Sequence, residues 1–200
     1  MAIHLTTPRL VLREFTAHDG ALLEALDADA EVVHFITGGR PTPRAEIEDD
    51  WLPAILERYR RTPGFGFFAA ELVDASPDGG MGDARIDGRF VGWFHFRPRP
   101  EDPDDVPELG YRLVRSVWDT GLASEGSIAL VDKGFREQGV SRVVAETMVV
   151  HTASRRVMEK AGLRPVRFFH AVWPDHIPGD EHGDVEYAIT RDEWLAQGRG

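Results

Sequence analysis

The stretch "ELGYRLVRSVWDTGLASEG", residues 108–126, places a strand-like segment shortly before the start of a helix. The segment "ELGYRLV" alternates as a β-strand does, and "SIALVDKGFREQG" after it is typical of a helix. Gly121 allows a tight turn and a close approach to the backbone. The first amides of a helix lack internal partners and carry partial positive charge, so this turn is a candidate anion site. For one glycine alone, an ordinary structural turn is the more frequent explanation.

Other known phosphate loops do not fit this stretch. It lacks the lysine of Gly-x-x-x-x-Gly-Lys-Ser/Thr, and Gly-x-Gly-x-x-Gly does not open its helix. The sequence therefore predicts neither a P-loop nor a dinucleotide-binding turn here.

The segments around this stretch predict one mixed α/β domain over residues 1–200. Helical periodicity marks three further segments, 16–26, 43–61 and 152–162, with Thr16 and Thr42 as expected N-caps of the first two and Pro53 as an expected kink. Strand-like alternation or aromatic enrichment marks six more: 9–15, 65–73, 89–98, 140–150, 165–173 and 184–190. Residues 74–88 predict a long, mobile hairpin loop. This order favours one parallel strand pair across a helix over Leu122–Gln138.

Composition excludes several classes of function. The net charge of −11 disfavours general nucleic-acid binding, because an acidic chain repels a phosphate backbone. The absence of cysteine excludes disulfides, thiolate metal sites and an acyl-cysteine intermediate. The histidines lack metal-binding spacing, so no metal is expected. The sequence shows neither a signal peptide nor a membrane span, which predicts a cytoplasmic protein.

Two motifs together carry a resemblance to a known family. The stretch at 108–126, followed by "HTASRRVMEKAGL" at 151–163, resembles the GNAT superfamily of acyl-CoA-dependent N-acetyltransferases. The similarity is greatest to the branch of ribosomal-protein alanine and serine N-acetyltransferases, which "LTTPRLVLREFTAHD" at 5–19 also resembles. The resemblance implies a mostly antiparallel central sheet with one splayed parallel pair and helices on both faces.

The resemblance also implies a coenzyme A site. The family's pyrophosphate loop, Arg/Gln-x-x-Gly-x-Gly/Ala, falls on Trp118 to Ala123, with tryptophan in place of Arg or Gln. The backbone N–H of Leu113 is expected to contact the pantetheine arm or the thioester carbonyl. His151 stands where the family has an asparagine that binds pantetheine; a neutral imidazole also offers a donor and an acceptor. The expected cofactor-binding residues are Leu113, Trp118, Asp119, Thr120, Gly121, Leu122, Ala123, Ser124, His151 and Arg156.

The reaction of such a family needs a proton acceptor for the amine and a donor for the leaving thiolate. Glu108 is the candidate general base or amine-orienting group; a solvated carboxylate is the alternative. Met158 occupies the position of the tyrosine that often protonates the leaving thiolate in the family, and Ser154 is the candidate donor to sulfur. Without a cysteine or a Ser-His-Asp pattern, direct transfer in a ternary complex is favoured.

The expected function is acetyl transfer from acetyl-CoA to a primary amine, foremost a protein or peptide amino terminus. Five acids within Glu101–Glu108 also suit a cationic acceptor, although a solvated loop explains them equally. Three alternatives stay open: a polyamine or aminoglycoside acetyltransferase, a non-catalytic CoA-binding module, and an unrelated α/β domain with a structural turn. A homodimer is left open, and neither nucleic acid nor membrane is expected as a partner.

Overall fold

A computed structural model describes residues 2–73, 86–173 and 176–199, of which 86–88 are described by their backbone alone. Most of the predicted loop at 74–88 lies outside these residues. The strands are β1 Ile3–Thr6, β2 Leu10–Glu14, β3 Gly66–Val73, β4 Ile86–Pro98, β5 Pro107–Leu113, β6 Arg142–Met148, β7 Arg164–Phe169 and β8 Asp184–Thr190. The helices are α1 Gly20–Asp27, α2 His34–Thr37, α3 Arg44–Glu46, α4 Leu52–Arg61, α5 Leu122–Glu137, α6 Thr152–Lys160 and α7 Arg191–Ala196.

The described strands form one eight-stranded sheet in the order β1-β2-β3-β4-β5-β6-β8-β7. Strands β5 and β6 run parallel and are joined by the α5 crossover, while the other neighbours described are antiparallel. The parallel register consists of one residue pair, Glu108 with Val144. The two strands therefore separate after Glu108, which confirms the expected mixed sheet with a splayed parallel pair.

Alternation along β4 assigns the two faces of the sheet. Phe94 and Phe96 point toward α5, where Gly126 and Gly134 make room for their rings. A Cβ added at Gly126 would lie 2.4 Å from the Phe94 ring, so α5 packs closely on the sheet because these positions lack side chains. Trp93 points to the opposite face, where it packs with apolar residues of α1 and α4. Helices cover both faces, as predicted.

Both expected N-caps are wrong. Helix α1 begins at Gly20, and Thr16 donates its backbone N–H and its hydroxyl to the carboxylate of Asp19. That carboxylate also forms an ion pair with the buried guanidinium of Arg13 at 2.7 Å. The ion pair fixes the turn that the sequence predicts as the start of the helix. The hydroxyl of Thr42 likewise donates to the side chain of Asp27 instead of capping α3.

Pro53 lies at the start of α4, directly after a π-helical turn at Ile47–Trp51. Because proline has no N–H and crowds the preceding turn, the regular helical hydrogen-bond pattern is interrupted where the kink was expected. The predicted strand at 165–173 is shorter than expected and ends at Phe169. Strand β1 and helix α7 were not predicted.

Candidate active site

The separation of β5 from β6 opens a cleft of about 930 Å³ that passes between the two strands. Its walls come from β4, β5, β6, the start of β8, the turn before α5, helix α6 and the segments at 31–36 and 169–173. Every expected site residue except Leu122 lines this cleft; the side chain of Leu122 is buried in the core. The strand–turn–helix stretch and the second motif, 25 or more residues apart in sequence, thus meet in one place.

The start of α5 leaves its amides available to a ligand. Gly121 precedes the helix in the left-handed conformation, with φ 86° and ψ 0°, and no side chain of the described residues caps the helix. Glu125 lies in the first turn, but its carboxylate accepts hydrogen bonds from Thr7 and Arg9 on the β1–β2 connection. Arg9 also donates to the carbonyl of Thr120 at 2.9 Å. These bonds hold the turn firmly and direct the acidic side chain away from the amides.

The residues before Gly121 connect the turn to the end of β5. The indole N–H of Trp118 donates to the carbonyl of Leu113 at 2.9 Å, and the residue as a whole is 43% exposed. Asp119 adopts a left-handed φ of 58°, a conformation that aspartate tolerates better than most residues. The N–H of Val114 donates to Val91 on β4, so the preceding N–H of Leu113 points the other way, into the gap beside β6.

The first turn of α6 faces β5 across the cleft. Ser154 is buried there, and its hydroxyl and its carbonyl each lie 3.0 Å from the phenol oxygen of Tyr111. Burial raises the pKa of Tyr111, so the phenol stays protonated. Met158, one turn after Ser154, is buried in the core. A tyrosine hydroxyl therefore reaches this helix from the strand and not from the helix itself.

The remaining residues of α6 give the cleft a cationic side. Arg156 and Lys160, one turn apart, both line the cleft and are exposed. His151 precedes the helix and stacks on Phe35 with ring centres 4.2 Å apart. Burial, and then the nearby His34, lower the pKa of His151 to about 4. His151 is consequently neutral at physiological pH, as its expected role requires.

Glu108 lies at the point where β5 leaves β6, with its side chain 18% exposed and lining the cleft. Its carboxylate is 3.5 Å from Nε2 of His95 and 3.7 Å from Arg97, both on β4. Burial raises the pKa of Glu108, although the charge of Arg97 opposes the shift. A carboxylate with a raised pKa is a stronger base than an exposed one.

Further carboxylates line the same cleft. Glu146 and Asp184 come from β6 and β8, and Glu31 from the segment before α2. Of the acidic segment Glu101–Glu108, by contrast, Glu108 is the acid that lines the cleft, while Asp102 pairs with Arg99. The cleft is thus cationic along α6, whereas near Glu108 it carries several carboxylates, of which Glu108 and Glu146 lie beside arginines.

Sequence reasoning missed three residues of this site: His95, Tyr111 and Lys160. The signal for His95 was the alternation of "WFHF" at 93–96, which places this histidine on the Trp93 face of β4. Tyr111 lies on the face of β5 opposite to Glu108 and Gly110, and so faces α6. Lys160 lies four residues after Arg156 and shares its helical face.

No three or more His, Cys, Asp or Glu side chains of the described residues are grouped to hold a metal ion. The described helices include none with the length and apolar character that a bilayer crossing requires.

Comparisons with known proteins agree with this geometry. The sequence profile of the "Acetyltransferase (GNAT) domain" family matches residues 9–164. An Aspergillus fumigatus protein named "FsC-acetyl coenzyme A-N(2)-transacetylase" is 36% identical over 191 residues, which are 92% of this chain and 71% of that protein. Two solved structures containing coenzyme A share the fold. One is RimL, a ribosomal L7/L12 alpha-N-protein acetyltransferase (TM-score 0.72, 18% identity, 96% of this chain and 99% of that one). The other is the aminoglycoside acetyltransferase AAC(6')-Ib (TM-score 0.67, 20% identity, 94% and 99%).

Proposed function

This chain belongs to the GNAT acetyltransferases and takes its acetyl group from acetyl-CoA, and we propose that its acceptor is an α-amine, foremost the amino terminus of a peptide or protein. The observation that carries this proposal is the position of Glu108, a partly buried carboxylate on the cleft where the thioester and an amine would meet. The roles of the individual residues below are part of the same proposal.

The cationic side of the cleft suits the phosphates of coenzyme A. The uncapped amides after Gly121 bind the pyrophosphate, and Arg156 and Lys160 supply positive charge beside it. The N–H of Leu113 points into the gap between β5 and β6, where it binds the pantetheine arm or the thioester carbonyl. His151 contributes a neutral donor or acceptor to the same arm.

Glu108 and Ser154 divide the proton chemistry between them. The neutral amine attacks the thioester carbon, a C–N bond forms, and the carbonyl π electrons move to oxygen. The amine nitrogen passes a proton to Glu108. The intermediate collapses with loss of the C–S bond, and the electron pair leaves on sulfur, to which Ser154 donates a hydrogen bond. Tyr111 positions that hydroxyl, and the start of α6 adds partial positive charge near the thiolate.

The basicity of the acceptor favours an α-amine. Such an amine has a pKa near 8 and a lysine or polyamine amine one near 10.4, so far more of the α-amine is neutral at physiological pH. The carboxylates of Glu31 and Asp184 attract the protonated form to the cleft before it loses its first proton to water, whereas the charge of Glu146 is compensated by Arg99.

A small-molecule α-amine is the second candidate. It is favoured by the Aspergillus fumigatus relative, whose name places acetyl transfer on an N(2) nitrogen of an acceptor called FsC. The same cleft chemistry serves both candidates, because each presents a primary amine of moderate basicity.

A panel of amines tests the proposal. Acetyl-CoA consumption is followed by thiol release with amino-terminal peptides, amino-acid amides, polyamines and aminoglycosides. The proposal expects higher kcat/KM for α-amines than for polyamines at neutral pH. Coenzyme A binding without turnover on any amine would contradict it and favour a binding module.

A further inference from the structure

His95 is a largely buried imidazole without a hydrogen-bond partner among the described residues. It lines the cleft, its side chain is 13% exposed, and among the described residues neither ring nitrogen has a partner. The ring stacks on Trp93 and meets Phe67 edge-on, so it is fixed in place. A buried polar group without a partner costs about 1–3 kcal/mol and calls for an explanation.

The ring is directed at strand β5. A Cβ added at Gly110 would lie 2.5 Å from Nε2 of His95, so the imidazole occupies space that only glycine leaves. Nε2 also lies 3.5 Å from the Oε2 atom of Glu108, without the geometry of a hydrogen bond. We assign His95 the neutral tautomer with its proton on Nδ1; Nε2 is then an acceptor, as the ionised carboxylate is, and the two atoms face each other unbonded.

Burial and nearby charges act on the pKa of both groups. Burial lowers the pKa of His95 well below its ordinary value, and three cations lower it further: Arg97, Arg112 and Arg58. The imidazole is therefore neutral. Glu108 has a pKa raised by burial, and four charged groups act on it: Arg97 and Arg99 lower its pKa, while Glu146 and Glu101 raise it.

We propose that His95 is the positioning partner of Glu108 in its protonated form, so that the two side chains take up the amine proton as a pair. This inference rests on the proposed role of Glu108 as the base. When Glu108 accepts the proton, its new O–H donates a hydrogen bond to Nε2 of His95. Arg97 is the partner of Glu108 when its carboxylate is ionised, and His95 is its partner when the carboxyl is protonated. The proton stays on Glu108 and leaves to water after product release, and His95 remains neutral throughout.

The test is a double-mutant cycle of His95→Phe and Glu108→Gln, measured with acetyl-CoA and the fastest primary amine of the panel. We expect His95→Phe to lower kcat about tenfold, the worth of one hydrogen bond, while KM for acetyl-CoA stays unchanged. In the Glu108→Gln background the same change should have little further effect, because position 108 no longer receives a proton. The acid limb of the kcat profile should move to lower pH, since loss of the acceptor destabilises the protonated carboxyl.

Two variants separate this role from a structural one. His95→Gln keeps an acceptor oxygen near the position of Nε2 and should recover most of the lost rate. His4→Phe is the matched control: the ring of His4 is also stacked and partly buried, its Nε2 has no partner in the described part of the chain, and burial lowers its pKa to about 4, but it does not line the cleft. Its substitution should leave kcat unchanged.

The outcomes distinguish the inference from the proposed function. An equal loss of kcat from His95→Phe in both backgrounds, or an unmoved acid limb, would overturn the role of His95 alone. If Glu108→Gln turned over at the wild-type rate, Glu108 would not be the base, and the proposed role of His95 would be excluded with it. Thermal unfolding and coenzyme A binding verify that each variant is folded.

Discussion

Substitution of Gly121 tests whether the amides at the start of α5 hold the pyrophosphate. An aspartate at this position would stand at the N-cap, where its carboxylate accepts from the amides of Ala123 and Ser124. Those donors would then be lost to the cofactor. Two charge-assisted hydrogen bonds at about 1.5 kcal/mol each amount to about 3 kcal/mol, so we expect Gly121→Asp to weaken coenzyme A binding more than a hundredfold.

Backbone strain must be separated from this effect. Any side chain at φ 86° costs about 1–2 kcal/mol of stability, although the space is open, with Arg9 the nearest neighbour of an added Cβ at 3.5 Å. Gly139, just beyond the other end of α5, has φ 69°, and an added Cβ there would meet no described atom within 4 Å apart from its chain neighbours. Gly139→Asp therefore carries a similar backbone strain far from the turn and is the matched control.

The assay is isothermal titration calorimetry with coenzyme A and with pantetheine, which lacks the pyrophosphate. We expect Gly121→Asp to lose affinity for coenzyme A but not for pantetheine, and Gly139→Asp to bind both normally. Equal affinities of the two variants for coenzyme A would refute the anion site. An equal loss for both ligands in Gly121→Asp would indicate a distorted cleft instead.

Three further predictions concern the chemistry of the cleft. Glu108→Gln should lower kcat about a hundredfold at neutral pH and abolish the acid limb of the pH profile; because burial raises the pKa of Glu108, that limb should lie above the ordinary range of a glutamate, and an unaltered profile would exclude Glu108 as the base. Ser154→Ala and Tyr111→Phe should each lower kcat about tenfold, and the double variant should be no slower than Ser154→Ala; additive losses in steady-state kinetics would separate the two hydroxyls. Replacing Asp104 and Asp105 with asparagine should raise KM for a basic peptide at low salt and less so at high salt. An unchanged KM at low salt would show that these exposed acids take no part in attracting the acceptor.

The central part of the fold could be predicted because each local signal agreed with its tertiary setting. Strand β5, the turn at Gly121 and helix α5 lie within one residue of the expected bounds. Apolar alternation and a left-handed glycine are properties of neighbouring residues, so the sequence displays them directly. The two motifs also had the spacing of the family, which predicted that they meet at one cleft.

The edges of the fold were harder to predict because distant partners decide them. Thr16 resembled a helix cap, but Arg13 holds Asp19 in an ion pair and the helix starts later. Strand β1 has four residues and is a strand because β2 pairs with it. Helix α7 did carry a readable signal, since Thr190 and Glu193 form a capping box.

The residues missed in the cleft share one cause. His95 and Tyr111 become informative only when β4 is paired with β5 and β5 is separated from β6. The register places His95 beside Gly110, and the splay brings Tyr111 to the first turn of α6. Neither relationship is a short-range property of the sequence, so no motif of neighbouring residues displays it.

The alternation of β5 has a further mechanistic consequence. Glu108 and Gly110 point to the face of the sheet that carries His95, whereas Tyr111 points to the opposite face and Ser154. One strand therefore presents the proposed proton acceptor on one side and, on the other, Tyr111, the hydrogen-bond partner of the proposed thiolate donor. In the proposed mechanism the amine therefore gives its proton to a group on one face, and the sulfur receives its hydrogen bond from a group on the other, so the two proton steps do not compete for one group. A sheet with β5 and β6 fully paired would close the passage between the faces, which gives a physical reason for a parallel pair held at a single residue.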